Sequence, residues 1–169
     1  MLERMYQKRL NGYASMGYKA KAEDITSDSL DIIFHKDNFL SVFNKDIVDS
    51  KKEIIIVSPF VRQRRTHQML QHLKNSTAKH IRIVVVTRPK EDYKPKDHIV
   101  LQRALDLLTN SGISIVYKTN IHQKFAIMDQ KVVWYGSINL LSYGNAQESI
   151  MRIESSNIAN ELMKSIEDM

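Results

Sequence analysis

The stretch EIIIVSPF, residues 53–60, decides the fold class of this chain. Its apolar run IIIV leaves neither face of an extended strand polar, which is typical of a strand buried on both sides of a sheet. A second run of this kind, IRIVVVTR at residues 81–88, follows the helically spaced segment RTHQMLQHLKNS at residues 65–76. Two buried strands joined by a helix predict parallel neighbours in an α/β domain.

The same alternation continues on both sides of these strands. Helices are predicted over residues 38–50 and 98–112, the second ended by a glycine, and the strand ISIVYK follows at residues 113–118. The C-terminal part predicts a hairpin, KFAIMD and KVVWYGS around positions 129–130, then the strand SIMRIES and a last helix. We therefore expect an α/β fold, a layered α/β/α domain with a mixed, largely parallel central β-sheet, with Trp134 in its core.

The composition is that of one globular domain. Of the 169 residues, 43% are hydrophobic and 26% are charged. The absence of cysteine excludes disulfides and thiolate metal sites and suits a cytoplasmic location. No run approaches the roughly 20 apolar residues of a membrane span, and the N-terminus lacks the apolar segment of a signal peptide. The net charge of +6 favours an anionic partner, nucleic acid or anionic lipid, although a solvated basic surface gives the same count.

Residues 1–28 differ from the rest of the chain. Tyrosines and basic residues are scattered there, NGY interrupts the segment, and the polar run AEDITSDS follows. This pattern predicts a short helix and a linker, hence an N-terminal extension ahead of a domain over residues 29–169. The extension is either an arm that packs in a dimer or the cut end of a larger polypeptide, and the sequence leaves both open.

Four polar side chains flank the predicted hairpin. His122 and Lys124 stand two apart before its first strand, and Ser137 and Asn139 stand two apart after its second. Residues two apart in a strand share a face, so both pairs project from neighbouring segments. Together they offer a nucleophile or base surrounded by groups that bind anions.

This pattern resembles the HKD motif of the phospholipase D superfamily. The motif residues are His122, Lys124, Asp129, Gly136, Ser137 and Asn139. The preceding helices and strands extend the resemblance to residues 30–169. The resemblance implies hydrolysis or transfer of phosphodiesters through a phosphohistidine on His122, with Lys124, Ser137 and Asn139 as donors to the phosphoryl oxygens. It implies no cofactor, and we expect no catalytic metal, because Lys124 would place a like charge beside the ion.

Two carboxylates are further candidates. Glu148 lies where the family often carries an acid that hydrogen-bonds the far nitrogen of the nucleophilic histidine, although a solvated loop glutamate is the alternative. Asp129 belongs to the motif, but an aspartate at a hairpin tip is also a common turn former. The remaining histidines are read as ordinary surface or core residues: His35, His67, His72, His80 and His98.

The phosphohistidine mechanism uses two histidines, and this chain carries one motif. We therefore expect a homodimer that brings two copies of His122 to one phosphate. The segment at residues 134–155 also resembles phospholipase D-like modules at the end of bacterial helicase and restriction-associated proteins. An upstream helicase domain in a longer polypeptide is thus a further candidate partner.

Two basic loops follow the long strands. They supply the candidate substrate-binding residues Arg62, Arg64, Arg65, Arg88 and Lys90, with Lys94 and Lys96 nearby. Loops at the carboxyl ends of strands meet ligands in α/β folds, so these cations are placed to follow a phosphate backbone. The leading hypothesis is a metal-independent phosphodiesterase acting on nucleic acid, DNA in particular. The alternatives are a phospholipid hydrolase or transferase, and a nucleic-acid-binding dimerisation module with little turnover.

Overall fold

The computed structural model describes residues 32–167, so the predicted N-terminal extension lies outside the described part. Seven strands form one sheet in the order β1-β7-β6-β5-β2-β3-β4. The strands are β1 Ile33–His35, β2 Glu53–Val57, β3 Arg82–Thr87, β4 Ser114–Tyr117, β5 Phe125–Met128, β6 Val132–Gly136 and β7 Ser149–Glu154. The helices are α1 Phe39–Asp49, α2 Gln63–Ala78, α3 His98–Asn110 and α4 Ser156–Glu167. Two short 3-10 helices, Lys90–Asp92 and Pro95–Asp97, precede α3.

The sheet is mixed, as expected, but the prediction that it is largely parallel is wrong. Only β2–β3 and β3–β4 pair in parallel. The other four pairs, β1–β7, β7–β6, β6–β5 and β5–β2, are antiparallel. The reason is that β5 joins the free edge of β2 from the opposite direction, and a tight hairpin then forces β6 to reverse.

Side chains of the sheet alternate between two apolar layers. On one face, α1, α2 and α3 pack over Ile54, Ile56 and the fully buried Trp134, which confirms Trp134 as a core residue. On the other face, Val57 and Ile127 pack with residues of α4. The layered α/β/α architecture is therefore confirmed, with three helices on one face and one on the other among the described residues.

An ion pair that the sequence did not reveal links α1 to the C-terminal strands. The Asp46 carboxylate accepts hydrogen bonds from Trp134 Nε1 at 2.7 Å and from Arg152 Nε and Nη2 at 2.7 and 2.8 Å. Asp46 is 8% exposed, and its hydrogen bonds raise the pKa of the Arg152 guanidinium. Arg152 Nη2 also donates to Glu154 at 2.9 Å. Because Asp46 bonds both Trp134 and Arg152, the network fixes α1 against β6 and β7.

Strand direction decides where the polar motif residues meet. The strands β1, β2, β3, β4 and β6 run one way, whereas β5 and β7 run the other. The carboxyl ends of β2, β3, β4 and β6 therefore lie on the same side of the sheet as the amino ends of β5 and β7. We call this side the carboxyl edge. Segments that are far apart in sequence are brought together there.

Candidate active site

The structure brings most of the motif to the carboxyl edge. His122 and Lys124 immediately precede β5, and Ser137 and Asn139 follow β6. The backbone N–H of Gly136 donates to the carbonyl of Lys124 at 3.3 Å, which holds the two segments side by side. The antiparallel pairing of β5 and β6 thus accounts for the spacing of the motif.

The His122 ring lies against Arg88, which follows β3. Arg88 Nη2 is 3.0 Å from His122 Nδ1 and 3.3 Å from Nε2. The guanidinium is held by two further contacts, since Arg88 Nε donates to the Ile121 carbonyl at 2.8 Å and Cζ lies 4.8 Å from the Phe60 ring centroid. A guanidinium has only donors, so the ring nitrogen that it meets acts as an acceptor. An anion that approaches the His122 ring from this side therefore meets the Arg88 guanidinium.

Lys124 places its charge beside the histidine backbone. Its Nζ donates to the carbonyl of His122 at 2.8 Å. The Lys124 side chain is half-buried, whereas His122 is exposed. The ammonium thus lies within the same edge segment as the imidazole and adds a second positive charge there.

Asn139 carries a polar atom that the protein leaves unpaired. Its Oδ1 is buried and has no hydrogen-bond partner among residues 32–167, while its backbone carbonyl accepts from the N–H groups of Ser142 and Tyr143 at 2.9 and 2.8 Å. An unpaired buried polar atom costs about 1–3 kcal/mol, and Asn44 Oδ1 and Thr66 Oγ1 are in the same state among the described residues. Asn139 differs from these two in that it also lines a groove of about 940 Å³.

Ser137 and Gly136 hold β6 against β7. Ser137 Oγ accepts from the N–H of Ser149 at 3.1 Å and donates to the Ser149 carbonyl at 3.3 Å. A Cβ on Gly136 would lie 2.7 Å from the Cα of Ile150 and closer still to the Ser149 carbonyl oxygen. The structure therefore uses these two motif residues to join the strands, and the Ser137 hydroxyl is already occupied.

Asp129 does not join the others. It lies at the far end of β5, on the opposite side of the sheet from His122. Its carboxylate accepts from the backbone N–H groups of Lys51, Lys52 and Glu53 at 2.9, 2.8 and 3.1 Å. Burial alone would raise the pKa of the Asp129 carboxyl, but these three donors hold its pKa below the ordinary value. The Asp129 carboxylate thus anchors the loop before β2, as an aspartate at a turn can, and its catalytic role stays a prediction.

Glu148 lies at the carboxyl edge, but the side chain that contacts the His122 ring nitrogens is a different one. It is half-buried and lies one residue before β7. The side chain that contacts the two ring nitrogens is that of Arg88. The expectation that Glu148 orients His122 stays a prediction.

The other candidate substrate residues divide into two groups. Arg62 and Arg64 are exposed and line the groove beside Asn139, and Lys90 is exposed in the first 3-10 helix. Arg65 is instead used within the fold. Its Nε donates to the Tyr143 carbonyl at 2.8 Å, and its Cζ lies 3.7 Å from the Tyr143 ring centroid. Arg65 therefore fixes the loop that carries Asn139.

Sequence reasoning missed two aromatic residues of this site. The sequence places Phe60 at the end of a buried strand, yet Phe60 is 38% exposed and lines the groove beside Tyr93. The available signal was Pro59, because proline ends a ladder and turns the next residue out of it.

A mixed α/β sheet with a His-x-Lys segment beside a Gly-Ser-x-Asn segment defines the class of phospholipase D-like proteins. A family model described as cardiolipin synthase, PLD-like domain, matches residues 44–169. The chain belongs to this family, within the phospholipase D superfamily, and membership supports phosphodiesterase chemistry. No curated protein matches the chain.

Solved structures share the fold at low sequence identity. A phospholipase D family member, Nuc from Salmonella typhimurium, has a TM-score of 0.62 and 16% identity over 80% of this chain and 90% of its own. NucT from Helicobacter pylori has a TM-score of 0.61 and 15% identity, covering 81% and 92%. TrmBL2, an archaeal chromatin protein with a novel mode of DNA binding, has a TM-score of 0.55 and 7% identity, covering 99% and 60%.

No helix among residues 32–167 has the length and apolar character to cross a membrane. The same residues include no group of three or more His, Cys, Asp or Glu side chains that could hold a metal ion.

Proposed function

We propose that this chain is a metal-independent phosphodiesterase that cleaves nucleic acid, DNA in particular, through a phosphohistidine on His122. The observation that carries the proposal is the edge site itself. An exposed imidazole lies beside the cations Arg88 and Lys124. Phe60, on which Arg88 packs, and Asn139 line a groove with a basic rim. These are the groups needed for attack at phosphorus and for binding its charged oxygens.

The reaction has two balanced steps. In the first, a lone pair of the neutral His122 imidazole forms a P–N bond, and the P–O bond to the leaving alcohol breaks. The departing oxygen takes a proton from a second acid. In the second step water, deprotonated by that same group, attacks phosphorus, and the P–N bond breaks to restore the imidazole. Lys124 Nζ and Asn139 Nδ2 donate to the phosphoryl oxygens, and Arg88 turns from the ring to a phosphoryl oxygen as the substrate enters.

The second acid is the His122 of another copy of the chain. One motif supplies one histidine, whereas the two steps require a nucleophile and a proton donor at the same phosphate. A twofold dimer with the carboxyl edges facing each other meets this requirement. We place the activity in the cytoplasm, in keeping with the absence of cysteine.

Charge favours nucleic acid over phospholipid as the substrate. The groove beside Asn139 carries four cationic side chains, Arg62, Arg64, Lys94 and Lys96, against two acidic ones, Asp92 and Asp97. A row of cations suits a polyanion with regularly spaced phosphates. A phospholipid headgroup presents one phosphate, or two in cardiolipin, so it would leave part of these four cations unused.

The deciding experiment compares substrates and variants. The purified chain is incubated with labelled single-stranded DNA, duplex DNA, RNA and phospholipid vesicles, with and without EDTA. We expect cleavage of nucleic acid that EDTA leaves unchanged, because side chains rather than a metal hold the phosphate. His122→Ala should abolish turnover while nucleic-acid affinity persists, and Lys124→Ala or Asn139→Ala should each lower kcat by roughly 10²- to 10³-fold.

A trapped intermediate provides the direct test of the chemistry. Quenching in alkaline denaturant should leave a fragment of the labelled oligonucleotide attached to wild-type protein but not to His122→Ala. Hydrolysis of vesicles alone would favour the phospholipid alternative, and binding without any cleavage would favour the nucleic-acid-binding module. Strict dependence on added magnesium would contradict the phosphohistidine scheme.

A further inference from the structure

The groove beside Asn139 has an apolar and aromatic part that phosphate binding alone does not require. Its volume of about 940 Å³ lies within the range of small-molecule sites. Part of its lining is apolar and aromatic: Phe60, Val61, Tyr93, Val100 and Leu101. An extended phosphate backbone needs only cations and backbone donors, so this apolar lining calls for an apolar part of the substrate.

Phe60 forms a fixed, partly open platform in that lining. Its ring packs edge-on against Tyr93, with centroids 5.8 Å apart and planes at 80°. The Tyr93 hydroxyl donates to the Pro59 carbonyl at 3.1 Å and accepts from the Val61 N–H at 3.2 Å. Ser58 Oγ donates to the Phe60 carbonyl at 2.8 Å. The residues on both sides of Phe60 are thus held, yet 38% of Phe60 is exposed. Such a ring loses little freedom when a flat ligand stacks on it.

The platform is continuous with the reacting groups. Arg88 lies over the Phe60 ring and also contacts His122, and Asn139 lines the same groove as Phe60. A substrate whose phosphate reaches His122 therefore places its neighbouring group in the groove. In a nucleic acid, the flat apolar group next to a phosphate is the nucleobase.

On these observations we propose that the groove is a nucleobase-binding subsite, in which Phe60 stacks on an unpaired base adjoining the cleaved phosphodiester. The proposal rests on the function proposed above and names the form of its substrate. A base that lies on Phe60 cannot at the same time be stacked and paired inside a duplex. Single-stranded nucleic acid is therefore the preferred substrate, and a duplex must first open at the site.

The test uses single-stranded oligonucleotides that contain one cleavable phosphodiester, the other linkages being uncleavable. One substrate carries both flanking bases, and two others lack the base on either the 5′ or the 3′ side. We expect wild type to lose kcat/KM on only one of the two abasic substrates. Removing an aromatic stacking partner changes affinity by roughly 5- to 150-fold. Phe60→Leu should therefore raise KM by about 10- to 100-fold on the intact substrate, while kcat stays within a few-fold.

Matched variants separate stacking from other roles of Phe60. Phe60→Trp retains an aromatic face and should keep KM near the wild-type value. Tyr117→Leu removes an aromatic residue that is 50% exposed and does not line the groove, and it should have no effect on KM. On the substrate that lacks the affected base, Phe60→Leu and wild type should be indistinguishable. Equal losses on intact and abasic substrates would overturn the proposal, since Phe60 would then act only through Arg88.

A binding measurement keeps the two proposals apart. Fluorescence anisotropy of labelled single strands is measured with His122→Ala and with the His122→Ala, Phe60→Leu double variant. If the double variant binds the intact strand more weakly than His122→Ala does, the base subsite is supported even if no turnover is found. Cleavage that is equally fast on duplex, intact and abasic strands would reject the subsite while leaving the phosphodiesterase in place. If the double variant instead binds phospholipid vesicles more weakly than His122→Ala does, the apolar lining is assigned to a lipid chain.

Discussion

At the scale of single residues, Asp129 is a motif residue whose role is set by its partners. Three backbone N–H groups converge on its carboxylate, and its φ of 52° is a left-handed conformation that aspartate and asparagine tolerate. Asp129→Asn keeps this conformation and one acceptor oxygen but removes the charge. We expect it to lower the free energy of unfolding by about 1 kcal/mol, or about 2–4 °C of Tm, without changing kcat.

The dependence of this effect on pH follows from the lowered pKa of Asp129. A carboxyl with a lower pKa in the folded state contributes stability above its ordinary value of 3.8, and the contribution disappears as pH falls through the folded-state pKa. The difference in Tm between wild type and Asp129→Asn should therefore shrink in acid. An unchanged Tm together with lost cleavage would mean that Asp129 takes part in the chemistry after all.

The position of Arg88 differs from the general substrate-binding role that the sequence predicts for it. Its place in a basic loop predicts a contact to the phosphate backbone of a substrate, and the structure places it within 3.3 Å of both ring nitrogens of His122. If it binds a phosphoryl oxygen in the complex, Arg88→Ala should lower kcat by roughly 10²-fold with a smaller change in KM. Guanidinium ions added to Arg88→Ala should restore part of kcat. Arg88→Lys should be intermediate, because a lysine cannot bridge the Ile121 carbonyl and a second acceptor as a guanidinium does.

At the scale of elements, the contact between β6 and β7 sets the geometry of the site. Gly136 allows β7 to approach at a point where a methyl group would meet the backbone of Ser149 and Ile150. Gly136→Ala should destabilise the fold by about 1–3 kcal/mol and lower activity, because β7 must shift and Ser137 moves with it. Thermal unfolding and cleavage assays measure the two effects.

Gly144→Ala supplies the matched control for this prediction. Gly144 is exposed, and a Cβ there would meet nothing within 4 Å. It should therefore leave both Tm and rate near the wild-type values. If Gly136→Ala behaves like Gly144→Ala, the close approach of β6 and β7 is not needed for the site.

At the scale of the whole molecule, the proposed mechanism makes each active site a property of two chains. Mixing an excess of His122→Ala with wild type, under conditions that allow subunits to exchange, should suppress activity beyond simple dilution. The reason is that a mixed dimer lacks one of its two histidines. An equal excess of serum albumin controls for crowding and adsorption. A species that sediments as a monomer and keeps its full specific rate on dilution would exclude the shared site.

Local patterns in the sequence are enough to predict the α/β fold class and to locate the residues of the motif. Helices and buried strands can be predicted from the spacing of apolar residues, because that spacing reflects which side chains are buried on folding. The motif spacing around a tight turn likewise placed His122 and Lys124 next to the segment of Ser137 and Asn139, because a hairpin is a local structure. The three-residue strand β1 was missed because so short a segment shows no period.

The direction of β5, the position of Arg88 and the groove follow from the folded structure and not from local patterns. Each depends on contacts between segments far apart in the chain, which are set by how the apolar layers pack and not by local preference. The pairing of β5 with β2 put Asp129 on the side of the sheet opposite His122. The loops that follow parallel strands lie at the same edge of a sheet. Phe60 and Arg88, which follow β2 and β3, therefore lie near His122.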